Sequence, residues 1–278
     1  MASNLSSIGF VFKDAEDFHV RMLTLAEETR ERLKCGAGEY AIWRSRTGAE
    51  VWFQIAPPDG DEEQATILGL APFFEGRSSV PVMMTAALKR PDDTPLEGLL
   101  HGWVAPDGQG AGAYPLAFEA IDFAAHAGRR LPATWRCRIT GFCRNLNVHE
   151  DASTLPEMGE GQRLADRALI PIGLFRDEDE EKGEGEGGGG DKVEGASGLG
   201  GNGESPSSMP EPTAWMTGIV RAHRPLENEV TGRAFHWLSV ETLAATIDLV
   251  ADPDIVTGEI AEGKIIEAMA WMFARVLD

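Results

Sequence analysis

The stretch DEDEEKGEGEGGGGDKVEGASGLGG, residues 177–201, decides how this chain is organised. It opens a longer segment, residues 177–213, which contains 11 Asp and Glu, 2 Lys, and no Ile, Phe, Tyr or Trp. Such a composition cannot bury enough apolar surface to offset the entropy lost when a chain becomes ordered. We therefore expect a disordered, acidic, glycine-rich insert at 177–213 that separates two folded portions.

The composition of the whole chain restricts the class of protein. The chain carries 25 Lys and Arg against 45 Asp and Glu, a net charge of −20, which disfavours nucleic acid and anionic membranes as partners. No apolar run approaches the roughly 20 residues of a membrane span, and the start of the chain lacks a secretion signal. Three cysteines cannot form a closed disulfide framework. These features predict a cytoplasmic protein with no membrane association.

The N-terminal portion, residues 1–130, is predicted to be an α+β domain. Residues 6–12 read as a buried strand, and apolar positions at helical spacing predict a helix that is capped by Asp14 and ends near Cys35. Residues 40–55 are typical of a β-hairpin. Further strands are predicted at 65–74, 80–90, 96–106 and 113–123. This order, a βα unit followed by hairpins, favours an antiparallel sheet.

The C-terminal portion, residues 131–278, is predicted to be a β-rich domain interrupted by the insert. Strand patterns recur after residue 134, and they favour an open barrel with an architecture like that of an OB-fold. The last segment, 263–278, fits a helix or a strand, and we favour a strand because a small barrel needs a closing partner. The echo between TGFCR at 140–144 and TGIVR at 217–221 is interpreted as chance, because true repeats run to tens of residues. Whether the two portions are independent domains stays open.

The residues with catalytic potential form no complete motif. None of the six histidines has a zinc-binding spacing, so no metal and no cofactor is predicted. His101 and His236 each lie beside a Trp in a predicted strand and are candidate general bases, with His149 as a third. No nucleophile motif accompanies them, so catalytic residues are not assigned.

A group of arginines is the candidate binding site. Residues 124–149 contain five Arg and no acid. Strand alternation places Arg136 and Arg138 on an outward face, and Arg144 with Trp135 completes the predicted partner-binding set. The alternative is that these arginines pair with acids of the same chain and have no binding role.

Three functions are compatible with these patterns. The favoured one is a non-enzymatic binding or accessory protein that recognises a protein partner. The alternatives are a hydrolase-like enzyme with a His and carboxylate site, and a nucleic-acid-binding protein that uses an arginine-bearing, OB-like face. Enzyme and binder both remain open at this point, as does the oligomeric state.

Overall fold

The computed structural model describes residues 3–58, 65–157, 164–174 and 209–277, and these are mostly β. The helices and strands in chain order are α1 (Ala15–Glu28), β1 (Glu31–Cys35), β2 (Gly38–Arg44), β3 (Ala49–Ala56), β4 (Thr66–Phe74), β5 (Val80–Leu88), β6 (Leu99–Pro106), β7 (Gly112–Ala120), α2 (Phe123–His126), β8 (Ala133–His149), β9 (Ala168–Ile170), β10 (Thr213–Glu227), β11 (Ala234–Glu241), β12 (Thr246–Ala251), β13 (Val256–Thr257) and β14 (Ile265–Val276). Short 3-10 helices span Ser6–Ile8, Ala152–Thr154, Ile172–Leu174 and Pro253–Ile255.

The first 35 residues differ from the prediction of a βα unit. Residues 6–12 do not form a strand, because Ser6–Ile8 form a 3-10 helix capped by Gly9 and Asn228 donates a hydrogen bond to the Ile8 carbonyl. Helix α1 begins as predicted, with the Asp14 carboxylate accepting a hydrogen bond from the Asp17 backbone N–H. The helix ends at Glu28 and not near Cys35, because the chain then pairs with β2 as strand β1. Tertiary pairing here overrides local helix propensity.

The first sheet is an antiparallel meander in the order β1-β2-β3-β4. It confirms the predicted hairpin at 40–55 and the strand at 65–74. One face of this sheet and helix α1 bury aromatic residues against the second sheet, and this core includes Tyr40, Phe53, Phe74, Phe142, Phe235 and Phe273.

The second sheet is ring-like and is built around the long antiparallel pair β8–β14. The meander β5-β6-β7 joins β8 through β5 in antiparallel fashion and joins β14 through β7 in parallel fashion. The meander β10-β11-β12 joins β14 through β10 and β8 through β12, again antiparallel and parallel respectively. If β5-β6-β7 is exchanged with β10-β11-β12, and β8 with β14, the same set of parallel and antiparallel pairings results. The described strands therefore form two rings that share β8–β14 in an approximate two-fold arrangement.

This arrangement decides two points about the C-terminal portion. Residues 265–276 form a strand, as favoured, because β14 is paired along both edges. The similar sequences at 140–144 and 217–221 lie on β8 and β10. In the two-fold arrangement, however, β8 corresponds to β14 and not to β10. The topology therefore agrees with the interpretation of this similarity as chance. The OB-like architecture stays a prediction.

The two predicted portions share one sheet. The meander β5-β6-β7 belongs to residues 1–130, yet it pairs with β8 and β14 from residues 131–278. The division into two domains at residue 130 stays a prediction. Most of the predicted insert lies outside the described residues. Its last part is described and is paired, since Thr213 begins β10 and the Glu211 N–H donates to the Gly173 carbonyl at 3.0 Å. No helix in the described ranges is long and apolar enough to cross a membrane.

Candidate anion-binding site

The connection between β4 and β5 runs over a buried carboxylate on β12. Asp248 is fully buried, and its Oδ1 accepts hydrogen bonds from the Arg77 backbone N–H at 3.1 Å and the Trp237 indole N–H at 2.8 Å. Its Oδ2 accepts a hydrogen bond from the Ser78 backbone N–H at 2.7 Å. A buried charge is tolerated when such donors replace its hydration. Asp248 thus fixes the connection and the indole with one carboxylate.

Gly76 and Ser78 allow and secure this close approach. A Cβ built on Gly76 would lie 2.1 Å from the Asp248 Cγ, so only glycine lets the backbone pass the carboxylate. The Ser78 hydroxyl donates to the Ile139 carbonyl at 2.9 Å and accepts from the Ile139 N–H at 3.0 Å. The connection is therefore held to β8 as well as to β12, and Arg77 starts from a fixed backbone.

Two arginines stack on the indole of Trp237. The Arg77 Cζ lies 5.1 Å from the ring centroid, and the Arg224 Cζ lies 5.9 Å from it. Arg224 reaches the ring because it is directly opposite Trp237 in the β10–β11 register. The ring is itself packed against Phe74, with centroids 6.3 Å apart. Cation–π contacts of this kind orient the planar guanidinium while leaving its N–H groups available.

These side chains line one small cavity of about 110 Å³. Its lining residues are Thr47, Phe74, Glu75, Gly76, Arg77, Arg224, Leu226 and Trp237. Pockets for drug-sized ligands and cofactors usually measure about 300–1,000 Å³. The cavity therefore has the size for a single oxyanion group, such as a carboxylate or a phosphate.

The charges around the cavity favour an anion. Within the part of the chain that the structure describes, neither Arg77 nor Arg224 makes an ion pair through its guanidinium. Glu75 also lines the cavity, but its carboxylate is bound by Arg44 at 3.0 Å and by Arg138 at 2.9 Å. In a chain with a net charge of −20, two arginines at one cavity that pair with no acid among the described residues give this cavity a locally positive lining.

The predicted arginine strand is organised differently. Arg136 and Arg138 share the outward face as predicted, while Trp135 is buried on the opposite face near the Arg129 guanidinium. Arg138 donates to Glu75, and Arg136 donates to the Ser79 hydroxyl at 2.7 Å.

Arg144 lies apart from the other predicted residues. It occupies a bulge of β8, where its guanidinium lies 5.8 Å from the Trp271 ring centroid. It lines another cavity, together with Phe10 and Arg233. The structure does not bring the four predicted residues into one pocket, and their role in binding stays a prediction.

Sequence reasoning missed Arg77 and Arg224. Arg77 lies in a short connection between strands, and Arg224 lies near the C-terminal end of β10. One signal was available, because the stretch IVRAHRP at 219–225 contains two arginines and no acid. Arg77 and Arg224 meet at Trp237 only because the strands of the second sheet close into a ring, and their positions in the sequence do not predict this contact.

The candidate catalytic histidines make separate pairs. His101 Nδ1 lies 2.8 Å from the Thr85 hydroxyl, His149 Nε2 lies 3.5 Å from a Glu267 oxygen, and His236 contacts His223. Among the described residues, no three His, Cys, Asp or Glu side chains converge as a metal site. No family model, no curated protein and no solved structure matches this chain.

Proposed function

We propose that this chain is a non-enzymatic binding protein that recognises a segment of a protein partner through one carboxylate or phosphate group. The observation that carries this proposal is the pair Arg77 and Arg224, both stacked on the Trp237 indole at one cavity and both without an acidic partner among the described residues. Guanidinium groups form paired, charge-assisted hydrogen bonds with both kinds of oxyanion. Because stacking restricts the side chains before binding, less entropy is lost when the anion arrives.

The overall charge indicates what surrounds that anion in the partner. A protein with a net charge of −20 repels a strongly acidic segment during approach. A single acidic or phosphorylated residue flanked by Lys or Arg avoids this repulsion and still supplies the oxyanion. We therefore assign a partner segment that is basic overall and carries one central anion.

The histidine contacts favour a binder over a hydrolase-like enzyme. The pKa of His101 is lowered by burial, and among the described residues no carboxylate pairs with this ring. His149 lies 3.5 Å from a Glu267 oxygen, but its other nitrogen lies 3.1 Å from the Thr154 carbonyl oxygen, so both nitrogens already have neighbours. His126 does meet a carboxylate, Asp122, at 3.0 Å, but its remaining nitrogen, Nδ1, is buried without a partner. A general base must be within reach of the proton that it removes.

The test uses labelled ten-residue peptides with a central Glu or phosphoserine flanked by lysines, and the same peptide with a central Gln. Fluorescence anisotropy should show binding of both anionic peptides and at least tenfold weaker binding of the Gln peptide. Arg77→Gln and Arg224→Gln should each weaken binding by about tenfold, the loss expected for one charge-assisted contact of about 1.4 kcal/mol.

Arg46→Gln is the matched control. Its side chain is 92% exposed and pairs with Glu229 outside the cavity, so its loss changes net charge equally without touching the site. Equal affinity for the Gln and Glu peptides, or equal effects of all three arginine substitutions, would refute the proposal. Circular dichroism of each variant excludes misfolding as the cause of a loss.

A further inference from the structure

Two histidines meet on the inner face of the β10–β11 pair, behind the arginine site. His223 Nε2 lies 3.0 Å from His236 Nδ1, and their ring centroids are 5.1 Å apart. His223 is directly opposite Leu238 in the register, and His236 is opposite Pro225, so the two rings are diagonal neighbours on one face. Both side chains are half-buried and keep contact with solvent.

The separation of the two nitrogens matches that of a metal chelate. Metal–imidazole bonds measure about 2.0–2.1 Å, so nitrogens 3.0 Å apart subtend an angle of about 95° at a shared ion. A tetrahedral ion would need the nitrogens about 3.3 Å apart. An angle near 90° belongs to neighbouring positions in tetragonal and octahedral complexes, which Cu²⁺ and Ni²⁺ prefer.

We propose that His223 and His236 form a two-histidine site for a divalent transition-metal ion, with Cu²⁺ bound most tightly. Copper heads the usual affinity order of divalent ions for nitrogen ligands. Small rotations of the two half-buried rings direct both lone pairs at an ion placed beside the line that joins the nitrogens. The ring that donates this hydrogen bond changes tautomer, so its proton moves to its other ring nitrogen and both facing nitrogens are free to bind the ion.

The surroundings make this an open site. Among the described residues no third His, Cys, Asp or Glu joins the pair, so water fills the other coordination positions. Burial lowers the pKa of both rings, and among the described residues no carboxylate pairs with either imidazole. Neutral imidazole is the form that binds metals.

Titration of the untagged full chain with Cu²⁺ tests the site. Isothermal calorimetry should show one equivalent bound by this pair, and electron paramagnetic resonance should show coupling to two nitrogens. His223→Gln and His236→Gln should each weaken this binding by at least about tenfold, since even the loss of an outer-shell partner costs 10–100-fold. Ni²⁺ should bind more weakly than Cu²⁺ with the same response to both substitutions.

His19→Gln is the matched control, because His19 is exposed on α1 far along the chain from the pair. It should leave the Cu²⁺ affinity and the two-nitrogen spectrum unchanged. Thermal melting without metal confirms that each variant is folded. Retention of the two-nitrogen spectrum in the double variant His223→Gln with His236→Gln would overturn the assignment, as would binding of Zn²⁺ more tightly than Cu²⁺.

Discussion

Replacing Asp248 by Asn should lower the free energy of unfolding by about 3 kcal/mol, although the side chain keeps its shape. The carboxylate accepts three N–H donors, two on Oδ1 and one on Oδ2. An amide has only one oxygen, so its NH₂ group must face a donor. With that oxygen in the Oδ1 position, the Ser78 N–H is left without an acceptor in a fully buried place.

The magnitude follows from these contacts. A buried donor that loses its acceptor costs about 1–3 kcal/mol. The hydrogen bonds from the Arg77 N–H and the Trp237 indole remain, but each loses its charge assistance, which amounts to about 0.5–1 kcal/mol. Burial of a charge is no longer required in the variant, and this gain offsets part of the loss. The balance is about 3 kcal/mol.

Urea unfolding followed by tryptophan fluorescence measures this difference. Asp254→Asn is the matched control, because the same chemical change removes an ion pair with Arg233 from a side chain that is 77% exposed. Its cost should stay below about 1 kcal/mol. A loss of less than about 1 kcal/mol for Asp248→Asn, or one equal to the control, would refute the argument that this carboxylate holds the β4–β5 connection.

Three further predictions test other parts of the description. Arg138→Glu should destabilise the fold by about 3 kcal/mol in urea, because it replaces the cation that pairs with Glu75 by a partly buried acid that repels this carboxylate. Arg136→Glu on the same face should cost less than about 1 kcal/mol, and equal costs for the two substitutions would contradict the argument. Iodoacetamide should alkylate Cys35 alone in the native protein, because burial raises the pKa of the Cys143 thiol to about 12 and Cys137 is also buried. Detection of a second adduct by intact-mass spectrometry without denaturant would be inconsistent with this. Deletion of residues 180–208 should leave the melting temperature nearly unchanged, because their composition provides little apolar surface to bury, and a loss of more than about 5 °C would count against it.

Local pattern predicted the strands well and their partners poorly. The alternation of apolar and polar residues was enough to identify β3, β4 and most strands of the second sheet. It failed at Glu31–Cys35, where residues with good helix propensity form a strand because β2 offers an edge. It also failed at residues 6–12, whose backbone groups are bound by the distant Asn228 and Thr231. Such outcomes depend on neighbours that a sequence window does not contain.

The candidate site shows the same division. Strand parity correctly placed Arg136 and Arg138 on the outward face, but it could not reveal that Arg138 pairs with Glu75 from the end of β4. For Arg138, the observed contact is therefore the one that the alternative interpretation predicted, an ion pair with an acid of the same chain. Conversely, Arg77 and Arg224 carry no local motif, and only tertiary structure shows that they share an indole.

The candidate anion site depends on the closure of the second sheet. Arg77 precedes β5, Arg224 lies on β10, and Asp248 lies on β12, so the three come from both sides of residue 130 and of the predicted insert. Asp248 joins them because β12 pairs with β8 in parallel and thereby passes beneath the β4–β5 connection. A change that opens the ring at β8–β12 should consequently reduce binding of the anionic peptide even where both arginines are intact. The proposed binding is therefore expected to depend on the assembled rings and not on a single strand.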